Sequence, residues 1–346
     1  MREITRLATF LTFALSTASL CGCSDSEDEG NNAGAAELAT GEVDPSLFLM
    51  DGLLSEITEV DCELSDGTTS ECYQITVHSE PTDHQAGPWC PRNIADGEEA
   101  GGIWPESGRA EAVDGAFIEN LAEFYNDPMW QMFNEDDGSV NYTETLEECE
   151  LAARPDVDPS LQNHCVECAL EDLGDLEFTY MIPKFPKLLD TPQNIGGNMG
   201  IALNGVEFAN AAPTDAILGA YTLAPFDDCG GHANPNAGYH YHAVTANCLT
   251  TVEQDDGHAG MIGFAMDGFP MHHMNDQEGE PDDLDECRGH SDSERGYHYH
   301  VSGAGENMII GCWAGATVRG ADDGGGPPGG GGPPGGGGPP VGPPEE

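Results

Sequence analysis

The chain has 346 residues, with 10 Lys and Arg against 63 Asp and Glu, for a formal net charge of -53. A charge of that size and sign repels phosphate backbones and anionic headgroups, which excludes nucleic-acid binding and leaves a lipid as the only route to a membrane. The length admits one large domain or two smaller ones around a real core; the dispersed carboxylates read as solubility in a salty medium rather than as a cation store.

At the N-terminus, Arg2 and Arg6 flank the start of an apolar run, Leu7 to Leu20, which is too short to span a membrane and has the length of an export-signal core. It ends in Leu20-Cys21-Gly22-Cys23, which resembles a bacterial lipobox. Residues 1–22 therefore read as a lipoprotein signal peptide and Cys23 as the lipidation site, with cleavage without lipid as the competing reading. The expected location is the bacterial cell envelope, at the outer membrane or cell surface. Residues 23–45 are acidic and rich in Gly, Asn and Ala, as a disordered tether would be.

Residues 46–190 read as a mixed α/β part of the domain. Leu54 to Asp61 and Tyr73 to His78 alternate apolar and polar residues as half-buried strands do, with an Asp66-Gly67 turn between them. Gly108 to Tyr125 has near-helical apolar spacing, and a second helix is expected from Thr143, as N-cap, to Ala153 before Pro155. Leu176 to Ile182 reads as a strand. The segment His84-Gln85-Ala86-Gly87-Pro88-Trp89-Cys90-Pro91, with His78 and Asp83 near it, reads as a rigid loop, a second site being the alternative. Asp136-Asp137-Gly138 and Asp276-Gln277-Glu278-Gly279 resemble calcium loops only faintly, since neither has an oxygen ligand at the first position.

Residues 191–315 contain a duplication. Gly200-Ile201-Ala202-Leu203-Asn204-Gly205-Val206 matches Gly263-Phe264-Ala265-Met266-Asp267-Gly268-Phe269, in each case an apolar strand closed by Asn-Gly or Asp-Gly, dipeptides that accept positive φ at both positions of a tight hairpin. Each copy is followed by Cys-x-Gly-His, five residues, and Gly-Tyr-His-Tyr-His: Cys229 to His232 with Gly238 to His242, and Cys287 to His290 with Gly296 to His300. The fold expected is α+β and β-rich, with antiparallel sheets, a pseudo-two-fold relation between the repeats, and disulfide bracing. Residues 316–346 form a Gly/Pro tail, its glycine runs and Pro-Pro pairs starting at 322, and no core can be built from them.

Twelve cysteines, less Cys21 and Cys23 of the signal region, leave ten, an even number that allows up to five disulfides in an oxidising compartment. Cys62 with Cys72, Cys229 with Cys248, and Cys287 with Cys312 are the candidate pairs, the last two because they sit equivalently in the repeats. Cys165 and Cys168 form a lone CxxC and are read as bridged to other cysteines rather than bound to zinc.

Alternate residues of a strand face opposite ways, so His240 and His242 share one face and Tyr239 and Tyr241 the other; the same holds for His298, His300, Tyr297 and Tyr299. If the repeats bring the two strands together, four imidazoles converge, with His232 and His290 completing or orienting the set. Such a set suits a transition metal, copper or zinc. The alternatives are a metal-dependent enzyme using the same histidines, with an acid or base such as Asp228, Asp267 or Glu286 in the cleft, and a structural or adhesive surface module without metal, its tyrosines packing and its histidines merely hydrogen-bonded. His272-His273 has no counterpart in the first repeat. No nucleotide-binding, zincin or Gly-x-Ser-x-Gly motif is present, which argues against nucleotide or hydrolase chemistry and leaves any catalytic residue unassigned. No protein partner follows from these residues; a monomer is the expectation.

The segments Asp83-His84, Gly87-Pro88-Trp89-Cys90-Pro91, Asn204-Gly205-Val206, Asp267-Gly268-Phe269-Pro270 and Leu284-Asp285-Glu286-Cys287, together with both GYHYH runs, resemble the YHYH-domain family of exported bacterial proteins, over roughly residues 70 to 315. The Gly/Pro tail resembles that family too. The resemblance implies export and adds no reaction. Where family members continue after Gly-Phe-Pro with an Ile-Tyr-Gly type of sequence, this chain has Met271-His272-His273.

Overall fold

A computed structural model describes residues 41–320, apart from residues 155, 175, 246, 247, 254 and 255. The signal segment, Cys23, the tether up to residue 40 and the tail beyond 320 lie outside the described residues. Among the described residues no helix is long and apolar enough to cross a membrane.

In chain order the elements are β1 (Thr58–Glu63), β2 (Thr69–His78), β3 (Ile103–Glu106), β4 (Arg109–Ala112), α1 (Gly115–Phe124), α2 (Leu146–Ala152), α3 (Leu170–Leu173), β5 (Glu177–Pro183), β6 (Leu188–Gln193), β7 (Gly200–Ala202), β8 (Glu207–Phe208), α4 (Thr214–Gly219), β9 (Gly231–Asn234), β10 (Gly238–Tyr241), β11 (Met261–Ala265), β12 (Pro270–His272), β13 (Gly289–Asp292), β14 (Gly296–His300) and β15 (Trp313–Gly315). The chain is β-rich, with short helices.

β1 and β2 form the expected hairpin, and β5 adds to the other edge of β2. The helix expected from Gly108 begins only at Gly115. Ser107 and Gly108, both at positive φ, turn the β3–β4 hairpin instead, and the Asp114 carboxylate accepts from the Phe117 amide to start α1. In α2 the cap is Thr145, which accepts from the Glu148 amide. Thr143 donates its hydroxyl to the Glu167 carbonyl and accepts from the Glu167 amide, tying the helix entry to the CxxC segment.

The largest sheet has eight strands in the order β13-β14-β12-β11-β7-β8-β10-β9. At its centre β7 and β11 run antiparallel, with Ile201 opposite Phe264. Outward on each side comes a hairpin partner, then a parallel pairing (β8 with β10, β12 with β14), then an antiparallel edge strand. The sheet is thus antiparallel apart from those two pairings, and its order of pairings is the same from either edge.

The two central hairpins are three-residue loops rather than the two-residue turns that Asn-Gly and Asp-Gly suggest. Gly205 donates to the Ala202 carbonyl and Gly268 to the Ala265 carbonyl, and only the glycine of each loop is left-handed, at φ 87° and 84°. The reason is that Asn204 and Asp267 are buried and used. Asn204 accepts from the Val206 amide and donates to Asp83 and to the Tyr241 hydroxyl. Asp267 accepts from the Tyr299 hydroxyl and from the amides of Phe269 and Gly315.

The tyrosine side of the sheet belongs to the main core, where Tyr239, Tyr241, Tyr297 and Tyr299 pack with Ile201, Phe208, Phe264 and Trp313. The packed chain runs past both expected boundaries. Val43 is buried and donates its amide to Lys184, while Ala316 and Val318 are buried, Val318 bridging to Leu64. Among the described residues five disulfides brace this body: Cys62–Cys72, Cys90–Cys165, Cys149–Cys168, Cys229–Cys248 and Cys287–Cys312. The CxxC is divided between two partners, so it offers no dithiolate to a metal.

Cys90–Cys165 spans 75 residues and Cys149–Cys168 spans 19. Loop-closure entropy then predicts that replacing the first pair with serine costs about 4.5 kcal/mol and the second about 3. Urea unfolding of the two double variants checks this; equal losses or none would contradict it.

Two candidate histidine sites

Cys-x-Gly-His and Gly-Tyr-His-Tyr-His are the two arms of one hairpin. In the first copy β9 and β10 pair so that His232 lies opposite His240; in the second, β13 and β14 set His290 opposite His298. Side chains directly opposite share a face, and His242 and His300 follow two residues further along that face. A single hairpin therefore collects three imidazoles. Ring centroids of His232, His240 and His242 are 4.8 to 4.9 Å apart, and those of His290, His298 and His300 are 4.5 to 5.4 Å apart.

The spacing of the motif has a second cause on the other face. A Cβ on Gly231 would land on the Tyr239 ring, and one on Gly289 on the Tyr297 ring. The Tyr239 hydroxyl donates to Asp227, and that of Tyr297 to Asp285. Asp227 also accepts the amides of Gly87, Cys229 and Gly231, while Asp285 accepts those of Cys287 and Gly289. The tyrosines thus do more than pack: they hold carboxylates. Burial pushes Asp227 up, and pushes Asp267 up to about 6 against the opposing pull of its donors.

The four histidines expected to converge do not. β8, β7, β11 and β12 stand between β10 and β14, five strand spacings that separate the pairs by on the order of 20 Å. Each pair instead completes a site within its own hairpin, so His232 and His290 are full members and not accessories. The second site gains His258, from the loop before β11, and its four ligand nitrogens lie within 4.8 Å of one another; the first holds His232, His240 and His242 to the same limit. His272 lies edge-on beside the second set, its ring 4.7 Å from that of His258, and its counterpart in the first copy, just after β8, is Ala209. His258 sits outside the repeated segments, and its only mark in the sequence is the Gly257-His258 step before an apolar strand.

Every imidazole of the two sets is oriented through Nδ1. His240 and His298 donate to the carbonyls of Gly238 and Gly296, two residues back. His242 donates to Asn210 and His300 to His273, equivalent positions of the two copies. His232 donates to the Ala224 carbonyl, His258 to that of Ala259, and His290 to the Asp283 carboxylate at 2.7 Å. Carbonyl and carboxylate oxygens only accept, so each ring carries a proton on Nδ1 and turns its Nε2 inward. Desolvation holds His232 down to about 3 and His240, His298 and His300 to about 4, with neighbouring imidazoles adding to the effect at His232, His298 and His300; His242 is held well below the ordinary value for the same reasons. At neutral pH these five rings are uncharged, each keeping its Nδ1 proton.

In the second site the Nε2 atoms of His258 and His290 each lie 2.9 Å from that of His298, and the buried Nε2 of His300 has no hydrogen-bond partner. A tetrahedral ion with nitrogens at 2.0 to 2.1 Å holds them about 3.3 Å from one another. The 2.9 Å contacts and the 4.8 Å limit on the set bracket that spacing.

The other candidate positions do not join these sites. His84 bonds to Asp83 and reaches the Tyr239 hydroxyl, on the tyrosine face. Asp267 is enclosed on that face, and Asp228 and Glu286 are exposed, so none of the three serves as an acid or base among the imidazoles. Cys229 and Cys248, close to Asp228, are bonded to each other.

Residues 179–282 match the family model described as YHYH protein, a span that starts within β5, takes in the first GYHYH and ends before β13. No curated protein and no solved structure matches the chain.

Overpacking against the tyrosine rings predicts that Gly231→Ala and Gly289→Ala each cost about 1–3 kcal/mol. Thermal and urea unfolding measure this, and variants as stable as the parent would contradict the account of the motif's glycine.

Proposed function

Taking the chain as what residues 179–282 make it, a YHYH domain-containing protein, we propose that it is an exported metal-binding protein with two separate transition-metal sites. One is formed by His258, His290, His298 and His300, the other by His232, His240 and His242. The observation that carries the reading is the pair of 2.9 Å contacts between Nε2 atoms whose rings have already committed their protons to Nδ1 acceptors. Lone pairs that face one another in a buried site repel, and a cation among them turns the repulsion into coordination.

All-imidazole sites suit copper and zinc. The four-nitrogen site has the ligand number of a closed structural centre, and the three-nitrogen site that of a centre with an open position. Asp283 behind His290 is the kind of partner that fixes a ligand's tautomer and raises its basicity. The proposed setting is the bacterial cell envelope, with Cys23 lipidated; five disulfides suit that oxidising compartment, and the acidic surface raises the local concentration of cations. Metal-dependent catalysis remains the second reading, favoured by the open position of the three-histidine site.

Elemental analysis of the purified full chain tests the binding and identifies the metal. The expected result is two equivalents, falling to one in His298→Ala/His300→Ala and to one in His240→Ala/His242→Ala, and to none in the quadruple variant. Stoichiometric metal that survives the quadruple change would sink the proposal, as would a parent chain that binds none, which is the outcome expected of a purely structural surface module.

A further inference from the structure

The two histidine sites differ in what surrounds them. In the second, four imidazoles face one another, the His300 Nε2 is enclosed, and His258 borders a wide cavity of about 720 Å³ that also takes in the carboxylates Glu253 and Asp276. In the first, the three imidazoles form one wall of a cavity of about 240 Å³. Its remaining walls are mostly carbon, from Ala152, Val157, Val166, Ala216, Ile217 and Ala224. The segments that carry these walls are fixed in advance: Ala152 ends the helix that holds Cys149, Val166 lies between Cys165 and Cys168, and the disulfides Cys149–Cys168 and Cys90–Cys165 anchor them. A preformed concave site, largely apolar, with a few convergent polar atoms, is the usual form of a small-molecule site.

Charge narrows the ligand. Around the second site Asp283 bonds His290, and an Asp276 oxygen lies 3.9 Å from the His258 Nε2. Around the first, all three Nδ1 atoms bond to backbone carbonyls, and among the described residues no carboxylate lines the cavity. Arg154, at the cavity, is paired with Asp156. A cation held by three neutral imidazoles there has a free coordination position and no protein anion beside it. An anionic donor from outside offsets that charge, and the carbon walls stabilise an apolar body attached to it.

Resting on the metal reading above, we propose that the His232–His240–His242 site binds a short-chain monocarboxylate from solution, its carboxylate on the metal and its hydrocarbon body against Ala216, Ile217 and Val166. The test uses the full chain loaded with cobalt(II), its absorption followed during titration with sodium acetate, sodium butyrate and sodium azide. Butyrate binds about tenfold tighter than acetate if its two further methylenes are buried. His298→Ala/His300→Ala keeps this response, because the signal belongs to the other metal. Ala216→Trp and Ala224→Trp, which fill the cavity, keep the azide response and lose the preference for butyrate. Equal affinities for acetate and butyrate in the parent chain overturn the inference while leaving metal binding intact, and so does a response that disappears with His298 and His300. A parent chain that takes up no cobalt overturns the metal reading and this inference together.

Discussion

The cross-strand register that sets His232 opposite His240, and His290 opposite His298, is the constraint from which the rest of the domain follows. Strand alternation then sends imidazoles to one side and tyrosines to the other. Each side satisfies its polar atoms separately: the imidazoles through Nδ1 on carbonyls and Asp283, the tyrosines through hydroxyls on Asp227, Asp267, Asp285 and Asn204. Buried ionisable groups are costly unless hydrogen-bonded. The motif is a compact way of burying both kinds of group in one hairpin, and the glycine of Cys-x-Gly-His exists because a tyrosine ring occupies the space its side chain would need.

The sheet order sets how many sites result. With β7 and β11 joined at the centre and each His-bearing hairpin carried outward by its own partner strand, the copies cannot share ligands. The two similar segments therefore carry two separate histidine sets, and these sets are not identical. Ala209 stands where the second copy has His272, and a loop supplies His258 to one set only; the three-histidine set borders a cavity with mostly carbon walls, whereas His258 borders a wider, more polar one. A set of four nitrogens and a set of three differ in the number of ligands each could offer an ion.

Much of the hairpin was legible in the residues: the same-face His-x-His pairs, the opposing tyrosines, the Asn-Gly and Asp-Gly loops, and the three disulfides suggested by spacing and repeat position. These are local, set by a period of two or by short loops. What was not legible depends on contacts distant in sequence. Nothing in the period of β10 or β14 says that four strands will lie between them, since the parallel pairings with β8 and β12 are tertiary choices. His258 has no repeat partner and no pattern around it. The tyrosine pattern reveals a shared face but not the carboxylates waiting beneath it, and the helix expected from Gly108 failed because a positive-φ pair there makes a turn.

The central claim is that two metal ions are held apart, one in each hairpin. Anomalous scattering from crystals of the metal-loaded chain tests it most directly. Two peaks are expected, separated by on the order of 20 Å, one ligated by His258, His290, His298 and His300 and the other by His232, His240 and His242, each about 2.0–2.1 Å from the Nε2 atoms. A single ion bridging His240, His242, His298 and His300, or loaded crystals with no anomalous peak at either cluster, would contradict it.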